Sequence, residues 1–321
     1  MIVSKLLESV ESVPLAPESW PRTGLVSADR STIMGSHQQS YLFQGSNNHY
    51  DAYFDTRLIE LANGWAGLTA QRHQRITDQG ALVLSVFVPN KATCLPSAFP
   101  QPMPRGGTTI WKQLNHLLFD DSGVIFSLQK MKIDESTMSG AWLRTDSHWS
   151  ESGCLLAVNE ILEKLALPLL EVQLATETQQ FSGDLSSKWS GKFLAEVRRE
   201  LFCPEITSMI PEVEFDNNQG QSQHFGRHVR WANKNAKYQI NVTFVGNSFS
   251  GPGFSSRELV WWLARLFKSV TFLHSSLIPT DVVEMTSCDV LIFQTVERFL
   301  YVLPQDNLTC DEIAKFLADQ S

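Results

Sequence analysis

The sequence predicts an α/β protein with one mostly parallel sheet and helices on both of its faces. Residues 81–88 (Ala-Leu-Val-Leu-Ser-Val-Phe-Val) are almost entirely apolar and lie between Gly80 and Pro89, which is typical of a strand buried on both faces. Similar runs recur at 123–128, 239–245, 269–273 and 290–294. Segments with helical periodicity separate them, among them 152–165, 191–201 and 255–267. Strands that alternate with helices in this way indicate an α/β sheet.

The chain before the first long strand has two parts. Residues 1–40 are rich in serine and proline and predict an extended arm after a short amphipathic helix at 3–10. Tyr41-Leu42-Phe43 predicts a short strand or turn, and the spacing of apolar residues in 51–74 predicts a helix with one buried face. We expect residues 41–321 to form a single catalytic domain, because the two candidate site segments described below must converge on one sheet edge.

Composition and charge exclude several classes of protein. The 321 residues include 34 acidic and 26 basic side chains, so the net charge of −8 disfavours nucleic acid as a partner. No apolar run approaches the roughly 18 residues of a membrane span. The five cysteines are far apart and include no C-x-x-C pair, which predicts free thiols and neither a disulfide framework nor a metal site. Residues 1–20 lack the pattern of a secretory signal, which predicts a cytoplasmic protein, or a periplasmic one if the chain has been trimmed.

The first candidate site segment follows the apolar run at 239–245. Ligands of such sheets bind at the carboxyl ends of the strands, and here the chain reads Gly246-Asn247-Ser248-Phe249-Ser250. A turn of small residues between a buried strand and a helix can present the Ser248 hydroxyl as a nucleophile. The same residue types also occur in ordinary strand-to-helix turns and helix caps, so the segment alone leaves both interpretations open.

The second segment contains Asp146 and His148 in the run Thr145-Asp146-Ser147-His148-Trp149-Ser150. With one residue between them, the carboxylate can reach Nδ1–H of the imidazole while Nε2 points outward. Alternatively, Asp146 caps the following helix, His148 is a surface residue, and Ser150 with Glu151 supplies a helix start. The combination with Ser248 favours a Ser-His-Asp triad, and the sequence offers no third acid or metal cluster that competes with it.

These two segments resemble the SGNH-hydrolase-like domain of the alginate O-acetyltransferases, which share Asp-x-His-Trp and Gly-x-Ser-x-Ser motifs. The order of Asp and His before Ser matches the permuted order of that group. Weaker similarities are Tyr41-Leu42-Phe43, Val88-Pro89-Asn90-Lys91, Gly183-Asp184-Leu185 and Glu297-Arg298. The resemblance implies a flavodoxin-like sheet and a role in polysaccharide modification. It further implies that Ser248 is the nucleophile, His148 its base and acid, and Asp146 the orienting carboxylate.

The expected activity is a serine-dependent O-acyl transfer, in the first place O-acetyl transfer, through an acyl-Ser248 intermediate. It needs no cofactor, but an acyl donor such as an acetyl ester or thioester serves as co-substrate, and a sugar or other hydroxyl compound is the acceptor. An esterase or thioesterase of a cytoplasmic small-molecule pathway would use the same triad. A non-catalytic binding subunit of a biosynthetic assembly is the alternative from another class.

Five further residues are candidates for oxyanion or substrate binding. Trp149 and Phe249 offer rings that can stack on a sugar, and Asn247 precedes the serine. Asn90 is a candidate second oxyanion donor, although Pro89-Asn90 also suits a turn. Lys91 would meet an acidic sugar or a phosphate, or else lie solvated in its loop. A basic cluster predicts a solvated surface or, alternatively, an anionic carrier site; it consists of Arg227, His228, Arg230, Lys234 and Lys237.

Overall fold

The computed structural model describes residues 6, 9–10, 12–44, 49–103, 108–127, 140–189, 193–217 and 226–313. In chain order its strands are β1 (Ser12–Pro14), β2 (Thr32–Met34), β3 (Ser40–Leu42), β4 (Leu82–Val88), β5 (Val124–Phe126), β6 (Gln173–Leu174), β7 (Gln179–Phe181), β8 (Glu196–Arg198), β9 (Leu201–Phe202), β10 (Glu212–Asp216), β11 (His228–Ala232), β12 (Tyr238–Gly246), β13 (Phe267–His274) and β14 (Val290–Val296). The helices are α1 (His49–Ala52), α2 (Leu58–Asp78), α3 (Lys91–Cys94), α4 (Ile110–Leu118), α5 (Glu151–Lys164), α6 (Pro204–Thr207), α7 (Leu259–Leu266) and α8 (Val282–Thr286).

One seven-stranded sheet forms the centre, in the order β10-β11-β13-β12-β14-β4-β5. The five strands from β13 to β5 are parallel, and β11 and β10 continue the sheet antiparallel beyond β13. The five parallel strands are the five apolar runs of the sequence, although residue 128 at the end of one run lies outside the described residues. The predicted α/β class is therefore confirmed.

Both faces of the sheet are covered because alternate side chains of each strand bury on opposite sides. Leu84 and Val86 of β4 pack with the helices α5 and α7 in one core cluster. Val83 and Phe87 pack in the other cluster, which includes Trp65 of α2 and residues of α4. Burying each such large apolar side chain contributes about 1.5 to 3 kcal/mol to the stability of the fold, so the packing on both faces stabilises the sheet.

Three predicted helices differ from the observed ones in extent. The helix expected at 51–74 is interrupted, because the Asp55 carboxylate accepts from the backbone N–H of Arg57 at 2.8 Å and forms a turn between α1 and α2. The helix α7 begins at Leu259 rather than at residue 255, because the Glu258 carboxylate binds the preceding N–H groups of Gly253 and Phe254. The helix expected at 152–165 is α5, which starts at Glu151.

The helix predicted at 191–201 is wrong. Residues 190–192 lie outside the described residues, and the rest of this segment contains β8, which pairs with β1 and β7, followed by β9. The charged residues Glu196, Arg198 and Glu200 alternate inward and are at most 2% exposed. Alternation of buried residues with a period of two is the pattern of a strand, and here the buried residues are charged and paired with one another. The spacing of the apolar residues alone therefore did not indicate a strand.

The N-terminal residues are joined to the rest of the fold by short strands. The strand β1 pairs with β8, and β2 pairs with β3, so strand pairing joins residues before the boundary predicted at residue 40 to residues after it. That boundary, with an arm at 1–40 and a domain at 41–321, stays a prediction. The helix predicted at 3–10 lies outside the described residues except for residues 6 and 9–10. All five cysteines are free thiols, and no described helix is long and apolar enough to cross a membrane.

Candidate active site

Ser248 lies in a tight turn at the carboxyl end of β12. The Asn247 carbonyl accepts from Ser250 N–H at 2.9 Å, and the Asn247 side-chain oxygen accepts from Phe249 N–H at 3.1 Å. The Ser250 hydroxyl is buried and donates to Gln294 Oε1 at 2.6 Å. Because the residues on either side of it are buried, the turn holds the half-buried Ser248 hydroxyl at the edge of the sheet.

The Asp146–His148 loop meets this serine across 100 positions of sequence. His148 Nε2 is 2.8 Å from Ser248 Oγ, and His148 Nδ1 is 2.8 Å from Asp146 Oδ1. The same carboxylate oxygen accepts from His148 N–H at 2.8 Å, which fixes the ring relative to its own backbone. The three side chains therefore form a continuous hydrogen-bonded chain that ends in a hydroxyl, which is the geometry of an activated serine.

Asp146 is buried and holds its negative charge through its neighbours. Burial opposes ionisation, but hydrogen bonds and the charge of His148 outweigh it and keep the pKa of Asp146 well below its usual range. Its second oxygen, Oδ2, lies 3.2 Å from Arg257 Nη1. The sequence analysis missed Arg257, because nothing in the glycine-rich stretch around it indicates a contact with a loop 111 residues away.

A buried lysine holds the backbone of this loop. Lys91 Nζ donates to the carbonyl oxygens of Leu143 at 2.6 Å and Ser40 at 2.9 Å, and lies 3.4 Å from the carbonyl of Asp146. The side chain is buried and its ammonium group is bound to carbonyl oxygens, so it is not a solvated loop residue, and it borders only a small cavity. Burial lowers the pKa of Lys91 to about 7.

The other end of the loop is held by the segment Gly183-Asp184-Leu185. The Asp184 carboxylate accepts from Ser147 N–H at 2.7 Å and from Ser147 Oγ at 2.6 Å, and its Oδ2 is 3.7 Å from His148 Nδ1. A side chain on Gly183 would lie 2.4 Å from Asp146 Cβ, so only glycine allows this approach. A second carboxylate therefore lies beside His148, although Asp146 is the one that contacts Nδ1 at hydrogen-bond distance.

Asp146, His148 and Asp184 bring their ligand atoms within 4.8 Å of one another, as a metal site would require. In this structure Asp146 is engaged by His148 and Arg257, and Asp184 is engaged by Ser147. These hydrogen bonds and the contact with Arg257 are sufficient to explain why the three side chains lie together.

The two aromatic residues predicted to stack on a sugar are buried. Trp149 and Phe249 are both 0% exposed, and the Trp149 indole N–H donates to the Arg257 carbonyl at 2.8 Å. The centre of the Phe249 ring is 4.7 Å from that of His148 and 5.1 Å from that of Trp149. A ring without an exposed face cannot stack on a ligand; instead Phe249 packs against the His148 ring, and Trp149 packs against Phe249.

The two candidate asparagines lie on different sides of the site. Asn90 donates from its backbone N–H to Glu297 Oε2 at 2.8 Å and from Nδ2 to the Tyr53 hydroxyl at 3.2 Å. It borders a small cavity that also includes Ser147 and Arg298. Asn247 borders a larger cleft of about 420 Å³ at the ends of β12 and β14. Of the two, Asn247 is the one that borders a cleft large enough for a small ligand.

The predicted basic cluster is neutralised by acidic partners. Arg227 pairs with Asp216 at 2.8 Å and Arg230 with Glu214 at 3.1 Å. Lys234 and Lys237 likewise lie 3.2 and 3.3 Å from glutamates of neighbouring segments. This surface is a ladder of ion pairs across β10, β11 and their surroundings, which agrees with the solvated surface rather than with an anionic carrier site.

Comparison with known proteins finds no matching family model and no matching curated protein. Among solved structures, the chain is similar to the O-acetyltransferase domain of Pseudomonas putida AlgJ, with a TM-score of 0.54 and 15% identity over 89% of this chain and 98% of that one. It is also similar to Bacillus cereus PatB1 with a sulfonyl adduct, with a TM-score of 0.52 and 12% identity over 90% and 96%. A DHHW family protein from Eubacterium siraeum gives a TM-score of 0.51 and 13% identity over 92% and 98%.

These similarities extend over nearly the whole length of each chain. They confirm the resemblance inferred from the two motifs. Because the identities are only 12 to 15%, what they confirm is the fold. The protein therefore has the SGNH-hydrolase-like fold seen in the AlgJ O-acetyltransferase domain.

Proposed function

We propose that this protein is a serine-dependent O-acyltransferase that moves an acyl group, in the first place acetyl, through an acyl-Ser248 intermediate. The observation that carries the proposal is the pair of 2.8 Å contacts that join Asp146, His148 and Ser248. The fold shared with the AlgJ O-acetyltransferase domain supports transfer to a hydroxyl acceptor such as a sugar. The co-substrate is an acyl ester or thioester, and the proposed chemistry requires no metal or cofactor.

In the first half of the reaction, Ser248 Oγ attacks the acyl carbonyl carbon while His148 Nε2 takes the hydroxyl proton. Asp146 keeps the remaining ring proton on Nδ1 and stabilises the imidazolium that forms. The carbonyl oxygen becomes an oxyanion, for which the backbone N–H of Ser248 is the donor nearest in sequence. The imidazolium then gives its proton to the departing alcohol or thiol, and Ser248 carries the acyl group.

In the second half, an acceptor hydroxyl attacks the acyl-serine. His148 removes the proton of that hydroxyl and returns it to Ser248 Oγ as the new ester leaves. If water takes the place of the acceptor, the same steps give an esterase or thioesterase. The two activities differ only in whether the acceptor excludes water from the site.

Mass spectrometry after exposure to 4-nitrophenyl acetate tests the intermediate. We expect an increase of about 42 Da on Ser248, and no such adduct in Ser248→Ala. Ser208→Ala is the matched control, because Ser208 is an exposed serine whose hydroxyl donates to the Glu205 carbonyl and it should leave labelling intact. Discharge of the adduct by sugars faster than by water identifies a transferase.

A sulfonyl fluoride provides a second test, since the PatB1 structure carries a sulfonyl adduct. Phenylmethylsulfonyl fluoride should modify Ser248 and block later acetylation. A folded wild-type protein that forms neither adduct would contradict the proposal and favour a non-catalytic binding subunit.

A further inference from the structure

A cleft at the ends of β12 and β14 borders the chain immediately before the proposed nucleophile. It has a volume of about 420 Å³ and is bordered by Gly246 and Asn247, the two residues before Ser248. Gln294 and Arg298, from β14 and the turn after it, form another part of its wall. We refer to this space as the Arg298 cleft. Its position at the carboxyl ends of two parallel strands is where ligands of α/β sheets bind.

Charge in the Arg298 cleft is one-sided. Arg298 is the only lysine or arginine among its described lining residues, and no aspartate or glutamate is among them. Within the described part of the chain, Arg298 has no ion pair or hydrogen bond, whereas the largely buried Arg72 and Arg198 are paired with carboxylates at 2.7 Å. A partly buried guanidinium without an anion is costly, because it has lost water and its described neighbours are the rings of Phe249 and Phe299 rather than a carboxylate.

Arg298 also lies close to Phe249 and Ser147, which are the sequence neighbours of Ser248 and His148. Its guanidinium carbon is 5.0 Å from the centre of the Phe249 ring, and that ring is 4.7 Å from the His148 ring. Arg298 additionally borders the small cavity that includes Ser147. Asp146 and Asp184 are close enough to act on its charge, but both carboxylates are already engaged by other residues.

The rim of the Arg298 cleft is apolar. Phe299 and Val302 are 44% and 72% exposed, and both border the cleft. Ligand sites commonly combine such apolar walls with one or two charged groups that set orientation. The expected ligand is therefore a small molecule with an apolar or ring-shaped body and an anionic group.

We propose that the Arg298 cleft binds a carboxylate or phosphate group of the acyl donor or acceptor, with Arg298 as the residue that recognises the anion. The body of the ligand lies along Phe299 and Val302, and its ester or hydroxyl faces the Ser248 turn. This inference rests on the proposed function for the reaction that follows, but the binding itself does not require turnover. A guanidinium donates two parallel hydrogen bonds to either anion, so both are named here as one chemistry.

Binding to the inactive Ser248→Ala protein tests this by isothermal titration calorimetry. The probes are 4-acetoxybenzoate, 4-acetoxyphenyl phosphate and the neutral methyl 4-acetoxybenzoate. We expect at least one anionic probe to bind about tenfold to a hundredfold more tightly than the neutral ester, as charge-assisted pairs in partly buried sites do. The stronger of the two anions identifies carboxylate or phosphate as the natural group.

Substitution of the arginine gives the decisive comparison. Arg298→Gln in the Ser248→Ala background should bring the preference close to onefold, and Arg298→Lys should retain part of it. Arg230→Gln removes an equal charge from an ion-paired position on β11 and should leave the preference unchanged. Thermal melting of each variant shows whether it is folded, and Arg298→Lys keeps the charge if the glutamine variant does not fold.

The outcomes separate the two proposals. Equal binding of charged and neutral probes, no saturable binding of either anion, or a preference that survives Arg298→Gln overturns the anion site. An anion preference that depends on Arg298 in a protein whose wild type forms no acyl-Ser248 upholds the site and overturns the proposed function instead.

Discussion

Replacement of Asp146 by asparagine tests how the carboxylate controls the histidine. The Asp146 side chain uses both oxygens, because Oδ1 accepts from His148 N–H and Nδ1–H while Oδ2 faces Arg257 Nη1 at 3.2 Å. An asparagine offers one oxygen and one NH₂ group. If its oxygen faces His148, the NH₂ group faces the guanidinium and two donors meet. If the NH₂ group faces His148, it donates to Nδ1 and moves the ring proton to Nε2, which then cannot accept the Ser248 proton.

Both orientations therefore impair the reaction without removing volume. We expect kcat/KM for 4-nitrophenyl acetate to fall by about 10³ to 10⁴, which corresponds to about 4 to 5.5 kcal/mol of transition-state stabilisation. Stopped-flow measurement of the acetylation step, with the mass of the Ser248 adduct at each time point, gives the rate directly. The melting temperature should fall as well, because the depressed pKa of Asp146 means that the folded state stabilises its negative charge; the rates are therefore compared at a temperature at which both proteins are folded.

Asp216→Asn is the matched control, since Asp216 also accepts from an arginine, Arg227, at 2.8 Å but lies on β10. It should retain the acetylation rate of the wild type. A rate for Asp146→Asn within about threefold of wild type, or an equal loss in Asp216→Asn, would refute the role assigned to Asp146.

Three other substitutions give expected outcomes. Gly183→Ala should lower kcat/KM by tenfold or more and unfolding free energy by about 1 to 3 kcal/mol, because its Cβ would lie 2.4 Å from Asp146 Cβ; full activity and stability would show that the loop adapts. Lys91→Met should cost about 3 kcal/mol in urea unfolding, because it leaves buried carbonyls such as that of Leu143 unpaired; a loss below about 1 kcal/mol would contradict this. Burial raises the pKa of Glu151 from 4.5 to about 7, so the folded state holds this proton more tightly and stability falls as pH rises from 4.5 through 7. Glu151→Gln should therefore raise unfolding free energy by about 1 to 3 kcal/mol at pH 8 and leave it unchanged near pH 4, and an equal effect at both pH values would be evidence against the shift.

Local patterns were sufficient for the parts of the fold whose burial is uniform. Residues 82–88 and 290–296 are apolar on both faces, so a strand in the middle of a parallel sheet follows from composition alone. The start of α5 also follows locally, since Ser150 Oγ accepts from Gly153 N–H at 3.1 Å as an N-cap residue is expected to do.

Prediction failed where charged side chains are buried. In β8 the inward positions Glu196 and Arg198 lie within an ion-pair network, and Arg198 also donates to the carbonyls of Gly140 and Trp142. Sequence patterns assume that charged residues face water, so this strand resembled a helix. The same assumption left Lys91 either on an anionic ligand or solvated in its loop, although its ammonium group donates to backbone carbonyl oxygens.

The sequence by itself determined the parallel sheet and the likeness of two motifs to O-acetyltransferase domains, and it singled out Asp146, His148 and Ser248 as candidates. Only the tertiary structure decided which other residues join them. Arg257 was not indicated by the sequence at all, and the motifs that contain Asp184 and Arg298 did not show what those side chains contact, because the contacts of a loop depend on where the sheet brings its ends rather than on its own composition. Trp149 and Phe249 show the converse, because these side chains are adjacent in sequence to the proposed catalytic residues and yet are buried in the core.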